Sequence, residues 1–575
     1  MNKLKKLKNS FKKYKIDGYI VPKNDEFLAE YIDEHNNRLN FISSFSGSAG
    51  YALILKQKSY LFVDGRYTLQ AKNESSKNFK IIEIHKIKPL KILKNIKKKL
   101  KIGFDPKLFS ELNLLNNFKA SNVILVPIEE NLVDKIWLNK PKEKTHKFFI
   151  LKSKDVGENY KSKINLLSKI LKKNKINKLL ISAPENIAWL LNIRGYNTKY
   201  SPLPNCHAIF DIKKKITLIV NKNKINDKFK QYFKNFLNYV EPKYISKFLK
   251  NVNDKEVFLI DSYSCSFFYK RLIKKRFKYI EKIDPIFALK AKKNSTEISN
   301  SIKSHIFDGV ALTKFIYWMK KNIYKNNISE ISAEKKLERF RKKNQNYKFP
   351  SFGTISGSGP NGAIVHYKAD NKSNRLIKKN DIYLCDSGGQ YHYGTTDVTR
   401  TLCFSNQPEE IKNIFTSVLK GHIAVASHNF RKNTVGKDLD LIARAPLKKM
   451  GLDYAHGTGH GVGYFLNVHE GPQSISKYNR VKLHEGMIVS NEPGYYKTNK
   501  FGIRIENLVY IKKIKNKLKF ENLTLAPIDK DLINFKLLNT KERKYLNNYH
   551  KKVYLKLNPF LNKNEKNWLK SFIAQ

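Results

Sequence analysis

The sequence predicts a multidomain protein of the α/β (α+β) class, and three observations carry that reading. At 575 residues the chain is too long to close around one hydrophobic core, so about two to four domains are the reasonable division. Helical and strand-like patterns alternate through the first half, as they do in layered α/β folds. In the second half, strand-like segments place carboxylates and imidazoles where apolar side chains are expected.

Over residues 1–150, KLKNSFKKY reads as a helix, DGYIVP as a strand, and YALILKQKSYLFVDGRYTLQA as further strands. FSGSAG, 45–50, is a turn-rich connector; it lacks the GK[ST] ending of a phosphate-binding loop. The lysine-rich stretch 88–101 reads as the solvated face of an amphipathic helix. KPKEKTHK, 140–147, reads as a linker, and after it the plan restarts. A helix over 160–173, a strand over 178–182 and a helix over 184–191 precede strands near 208–210 and 216–220. This looks like a second copy of the first plan, although no motif repeats. A second break falls at 284–294, followed by two long helical signals, 296–320 and 328–343. Beyond Pro527 the tail reads as a helical extension anchored by Trp568.

Composition narrows the function classes. With 41% hydrophobic and 12% aromatic residues, the chain folds rather than remaining a disordered polymer. A formal net charge of +62 ordinarily points to nucleic acid or an anionic membrane. Here the lysines run along the whole chain, and Lys, Asn and Ile are over-used together, which reads as compositional bias. No basic stripe with interleaved aromatics stands out, so no specific nucleic-acid partner is expected. Four cysteines without CxxC spacing fit a reducing compartment. The basic amino terminus lacks an apolar core of signal-peptide type, and no apolar run is long enough to span a membrane. The expectation is a soluble, cytoplasmic protein with no membrane partner.

The chemistry gathers in four segments after the long helices. DSGGQYHYGTTDVTRT, 386–401, alternates with period two on each side of a Gly-containing turn and reads as a hairpin. With the turn near Tyr391 and His392, Asp386 and Asp397 lie opposite each other, where two carboxylates repel unless a cation or proton sits between them. SGSGPNGAIVHYKAD ends a short apolar run on His366. HGTGHGVGYFLNVHEGP carries His456, His460 and His469; its glycines at 457, 459, 461 and 463 rule against a zinc-protease helix, and no HExxH glutamate is present. MIVSNEPGYY and GIRIENLVYI place Glu492 and Glu506 in strand interiors, at a cost unless they are paired or bind metal. Asp386, Asp397, His460, Glu492 and Glu506 together make an oxygen-rich set suited to two divalent ions, Mn²⁺ above Zn²⁺.

The order Asp, Asp, His, Glu, Glu within these motifs resembles the metallopeptidases of the pita-bread fold. GPNGAIVHY, FLNVHEGP and VDGRYTLQA narrow the likeness to the aminopeptidase P (Xaa-Pro aminopeptidase) family in its longer, three-domain form. The likeness covers nearly the whole chain; the lysine load is its main departure. It implies two creatinase-like α/β domains, 1–150 and 151–288, a pita-bread catalytic domain, 289–527, and a helical extension, 528–575. It implies release of the first residue from peptides with proline second, by attack of a hydroxide held between two metal ions. In that scheme Asp397 and Glu506 bridge the ions, with Asp386 on one ion and His460 on the other. Glu492 lies beside the ions and carries a proton to the proline nitrogen. A metal and one imidazole, that of His366 or His469, stabilise the oxyanion; His366, His456, His469 and Tyr496 contact substrate, and Arg504 orients a bridging carboxylate. A homodimer is implied as well. The alternatives are an Xaa-Pro dipeptidase on the same fold, and a non-catalytic relative that binds polyanions.

Overall fold

Two six-stranded sheets of one design organise the first 286 residues of the computed structural model, which describes residues 3–431 and 433–574. In the first, Gly18–Pro22 pairs antiparallel with Gly50–Leu55 and parallel with Leu100–Phe104. Ser59–Val63 then Phe79–Glu83 extend one side, and Val123–Pro127 extends the other. The second sheet repeats every pairing and direction. Lys178–Ile181 pairs antiparallel with His207–Asp211 and parallel with Val257–Ile260, with Ile216–Ile219, Leu237–Val240 and Lys278–Glu281 completing it. The second copy anticipated from the pattern is therefore a topological one.

Local signals account for the elements. Helix Tyr160–Lys173 begins at Asn159, whose side chain caps the Ser162 N–H, and buries Ile164, Leu167 and Leu171 at helical spacing. The lysine-rich stretch near 88–101 departs from expectation. It divides into a short helix, Pro89–Lys94, and the strand Leu100–Phe104, in which Leu100, Ile102 and Phe104 are buried at period two. The break expected at 284–294 contains a helix, Pro285–Ala291. Residues 141–148 have no regular structure, as a linker requires.

The chain divides into two units, Met1–Ser153 with Glu158–Ile286, and Lys154–Gly157 with Phe287–Gln575. The second unit opens on the long helix Ser295–Asn322, capped reciprocally by Asn294 and Glu297, and on Glu330–Lys342. Its strands form several small sheets. Ile355–Ser358, Tyr383–Ser387 and Val398–Leu402 make one; Glu470–Ile475, Gly459–Gly461, Ile488–Asn491, Asn507–Ile514 and Lys517–Asn522 make another. Helices Glu409–Ala426 and Thr540–Leu557 pack on these through Ile414, Val418, Tyr549 and Val553, joined by Ile503 and Ile505 from the strand side. Trp568, in the final helix Lys563–Ile573, stacks on Phe572 at 4.6 Å and meets Tyr317 at 5.4 Å, so the tail is anchored where expected.

Candidate metal centre and active site

The hairpin at 386–401 forms, with its register displaced from expectation. Asp386 faces Thr399, Gln390 faces Thr395 and Tyr391 faces Gly394, so the turn falls at His392 and Tyr393. Moving the turn centre by one residue moves every cross-strand partner by two, which preserves the side-chain face. Asp386 and Asp397 therefore remain on one face, diagonally placed. Asp397 lies just before the strand Val398–Leu402. Glu492 follows Ile488–Asn491, and Glu506 sits between Phe501–Arg504 and Asn507–Ile514. The two glutamates thus occupy strand ends rather than the strand interiors expected, where the backbone turns and a side chain can be aimed inward.

Ligand atoms of Asp397, His460 and Glu506 lie within 4.8 Å of one another. His460 Nε2 stands 3.3 Å from Asp397 Oδ2 and 3.6 Å from Glu492 Oε1. Its other nitrogen, Nδ1, meets the Gly461 carbonyl at 2.9 Å; a proton held there leaves Nε2 turned to the carboxylates. Asp386 takes a 2.6 Å hydrogen bond from Arg504 Nη2 at Oδ2, while its Oδ1 is buried with no hydrogen-bond partner.

Electrostatics shows what this cluster lacks. Burial, then the neighbouring carboxylates, push Glu506 well above the ordinary carboxylate range. Glu492 is raised to about 6, chiefly by burial and against the pull of His460 and Arg504. Burial raises Asp386 too, opposed by Arg504. For His460, burial alone lowers the pKa, but the Asp397 hydrogen bond and the Glu492 and Asp397 charges outweigh it and raise it to about 9. A second acidic group, Asp529 and Asp531 beside Cys403, makes the contrast: Lys320 Nζ lies 2.8 and 3.0 Å from its two carboxylates and fills it. Around Asp386, Asp397, Glu492 and Glu506 the acids outnumber the side-chain cations that face them among the described residues. The donor set, the orphaned Asp386 oxygen and the strained protonation all fit divalent cations.

Arg504 joins this cluster to its surroundings. It donates to Asp386, to Thr399 Oγ1 at 3.1 Å and to the Tyr496 hydroxyl, which in turn meets His456 Nε2 at 2.9 Å. His469 sets its ring edge-on to His460 with centroids 4.3 Å apart. His366 is half-buried between Ile364 and Tyr367, which pack with Ile355, Leu384 and Tyr496. Two participants escaped the sequence reading. Thr399 Oγ1 donates to Glu506 Oε2 at 2.8 Å, and Ser490 Oγ accepts from the His460 N–H at 2.9 Å while donating to Glu492 Oε1 at 3.1 Å. Thr399 was findable: the correct hairpin register puts it opposite Asp386.

Known proteins resemble the chain over nearly its whole length. Residues 301–513 match the model of metallopeptidase family M24, and 516–574 that of its C-terminal region. Residues 3–136 and 139–297 each match a creatinase/prolidase N-terminal domain. The chain is 38% identical over 587 residues to a probable Xaa-Pro aminopeptidase P of Laccaria bicolor, covering 97% of this chain and 90% of that one. It is 37% identical to Xaa-Pro aminopeptidase 1 of Dictyostelium discoideum over 99% of this chain and 96% of that one. The fold matches X-prolyl aminopeptidase of Caenorhabditis elegans, described as a cytosolic enzyme with a di-nuclear active site, at TM-score 0.95 and 31% identity, covering 100% and 99% of the two chains. A prolidase of Pyrococcus horikoshii matches at TM-score 0.52 and 25% identity, over 64% of this chain and 99% of that one.

Proposed function

The chain belongs to metallopeptidase family M24, among its Xaa-Pro aminopeptidases, and from that premise we propose how its residues release the first amino acid of a peptide whose second is proline. The observation that carries the reading is the set Asp386, Asp397, His460, Glu492 and Glu506, three of its acids buried and His460 and Glu492 half-buried, whose carboxylates outnumber the facing side-chain cations among the described residues. These residues would hold two divalent ions, Mn²⁺ by the hardness of the oxygen donors, with Asp397 and Glu506 as bridges. The ions would supply the Lewis acidity that activates water and polarises the scissile carbonyl.

The chain's own groups do the rest. Glu492, steadied at Oε1 by Ser490, accepts a proton and delivers it to the proline nitrogen. That nitrogen must gain a proton to leave, because a tertiary amide has no N–H of its own. His469 and His366 donate to the oxygen that becomes negative. Arg504 holds Asp386 in place, and Tyr496 with His456 walls the site on the Arg504 side. An aminopeptidase rather than a dipeptidase is supported by relatives named Xaa-Pro aminopeptidase that are 38% and 37% identical over 97% and 99% of the chain. The division at 1–150, 151–288, 289–527 and 528–575 is supported by the family-model limits at 136, 297 and 513. A cytoplasmic location is supported by the description of the nematode relative and by four cysteines that are free and buried. No helix among the described residues is long and apolar enough to cross a membrane. The homodimer rests on the resemblance alone.

Metal analysis of the purified protein, with side-by-side assay of Arg-Pro-Pro, Arg-Ala-Pro and Arg-Pro, tests the proposal. Cleavage of Arg-Pro-Pro after arginine, about 10²-fold faster in kcat/KM than Arg-Ala-Pro, is the expected outcome. Preference for Arg-Pro would make the enzyme a dipeptidase, and equal cleavage of the alanine peptide would remove proline from the account.

A further inference from the structure

Three charged side chains outside the ligand set are buried together where the chain enters its second unit. Glu470 leaves 2% of its side chain exposed, and Lys290 and Lys293 leave 1% each. Lys290 Nζ lies 3.1 Å from Glu470 Oε2, and Lys293 Nζ donates to Oε1. Lys290 also stands over the Phe287 ring, 4.8 Å from its centroid. Buried ion clusters of this kind stabilise a fold no better than well-packed apolar residues of equal volume. Stability alone therefore does not explain two lysines spent on one glutamate.

What the cluster touches does. The Lys293 N–H donates to the Gly486 carbonyl at 2.9 Å, and Lys292 bridges Met487. Gly486 has φ +81, and a Cβ there would stand 2.4 Å from the Lys293 carbonyl oxygen. The segment is thus pressed against residues leading into Ile488–Asn491, the strand that ends at Glu492. Glu470 opens the strand Glu470–Ile475 and pairs with Gly461, next to His460. A Cβ on Gly461 would stand 2.2 Å from the Glu470 carbonyl oxygen, so the two backbones are in close contact. Immediately before Glu470 comes His469, whose ring meets that of His460.

We infer that Glu470, held between Lys290 and Lys293, is a positioning residue that sets the His469 imidazole against His460, so that the segment entering the unit controls turnover. The inference rests on the reading of His469 as a group that faces the substrate. It is tested by measuring kcat, KM, metal content and thermal unfolding for Lys290→Met and Glu470→Gln, each made in the parent and in His469→Ala. Lys290→Met leaves the Lys293–Glu470 pair intact and is the variant least able to disturb folding. In the parent, each substitution is expected to lower kcat about tenfold or more with KM within about twofold, as small misplacements of reacting groups do. In His469→Ala the same substitutions should change kcat by less than about twofold, since nothing remains to position. Metal content should stay at the parental level throughout. Equal losses in both backgrounds, loss of metal, or no loss in the parent would each overturn the inference. Parental kcat in His469→Ala alone would instead refute the reading of His469, in a protein whose triad is untouched, and the inference would fall with it.

Discussion

Asp397 lies 3.3 Å from His460 Nε2, and ligand atoms of both lie within 4.8 Å of one on Glu506. Removing it in Asp397→Ala, or its counterpart in Glu506→Ala, should strip bound metal and abolish peptidase activity while the fold persists. Metal analysis with an Arg-Pro-Pro assay checks this; activity within about tenfold of the parent, a loss of only ~1.4 kcal/mol, would defeat the bridging assignment. Thr399 offers a finer probe at the same scale. Its hydroxyl donates to Glu506 and accepts from Arg504, linking the Glu506 carboxylate to the guanidinium that also holds Asp386. Thr399→Val keeps the shape and deletes the link. The expected outcome is metal affinity weaker by about 10–100-fold, as for other outer partners of metal ligands, read by competition with a chelating dye.

Among the elements, the helix Thr540–Leu557 is tied to the strands of the candidate site through the Tyr549 hydroxyl. Tyr549 accepts from Arg400 Nη2 at 2.9 Å, and Arg400, fully buried, also donates to the carbonyls of Thr399, Glu506, Ala526 and Pro527. The strands that present Asp397 and Glu506 are therefore tied to the carboxy-terminal extension by a cation that makes no ion pair among the described residues. Tyr549→Phe should cost about 1–2 kcal/mol of stability in denaturant titration, the price of one buried acceptor, with an unchanged slope. Elements such as Tyr160–Lys173 and Ser295–Asn322 were legible because apolar spacing and Asn caps are local signals. The hairpin register was not, because the turn at His392 and Tyr393 carries no Asn-Gly or Asp-Gly signature and glycines flank it on both sides. Asp386 and Asp397 still share a face, because a displacement of two residues keeps each acid on its side of the ribbon. The Lys293–Glu470 contact lay beyond reading, since 177 residues separate its partners and Lys293 has no motif, although Glu470 falls within FLNVHEGP.

At the scale of the whole molecule, charge and acid sensitivity are the properties to test. Lys8, Lys12, Lys15, Lys56, Lys99 and Lys101 surround Asp17 in an open groove of the first unit, the kind of surface a net charge of +62 produces. Any DNA binding there should be independent of sequence and lost near ~150 mM salt in a filter-binding assay. Acid sensitivity follows from buried imidazoles that the fold keeps neutral, His207 and His550 among them. Burial pushes His207, packed between Phe27 and Tyr269, down to about 4. Burial, with the Arg400 charge behind it, pushes His550 down to about 3, and His550 Nε2 accepts the Ile528 N–H at 3.2 Å. In the unfolded chain each titrates near ~6.5. Between that value and the depressed one, the unfolded state binds protons that the folded state refuses, so stability falls as pH falls, by up to about 1.4 kcal/mol per pH unit for each histidine. In the metal-free protein the site's own carboxylates, raised by burial, act in the opposite sense. Comparing the parent with His550→Gln cancels them, because both proteins carry the same site. Chemical unfolding at pH 7, 6 and 5 should show the parent losing stability faster on acidification than the variant, whatever their difference at pH 7. Parallel losses would mean that His550 is protonated in the folded state, and that the Ile528 amide has another acceptor.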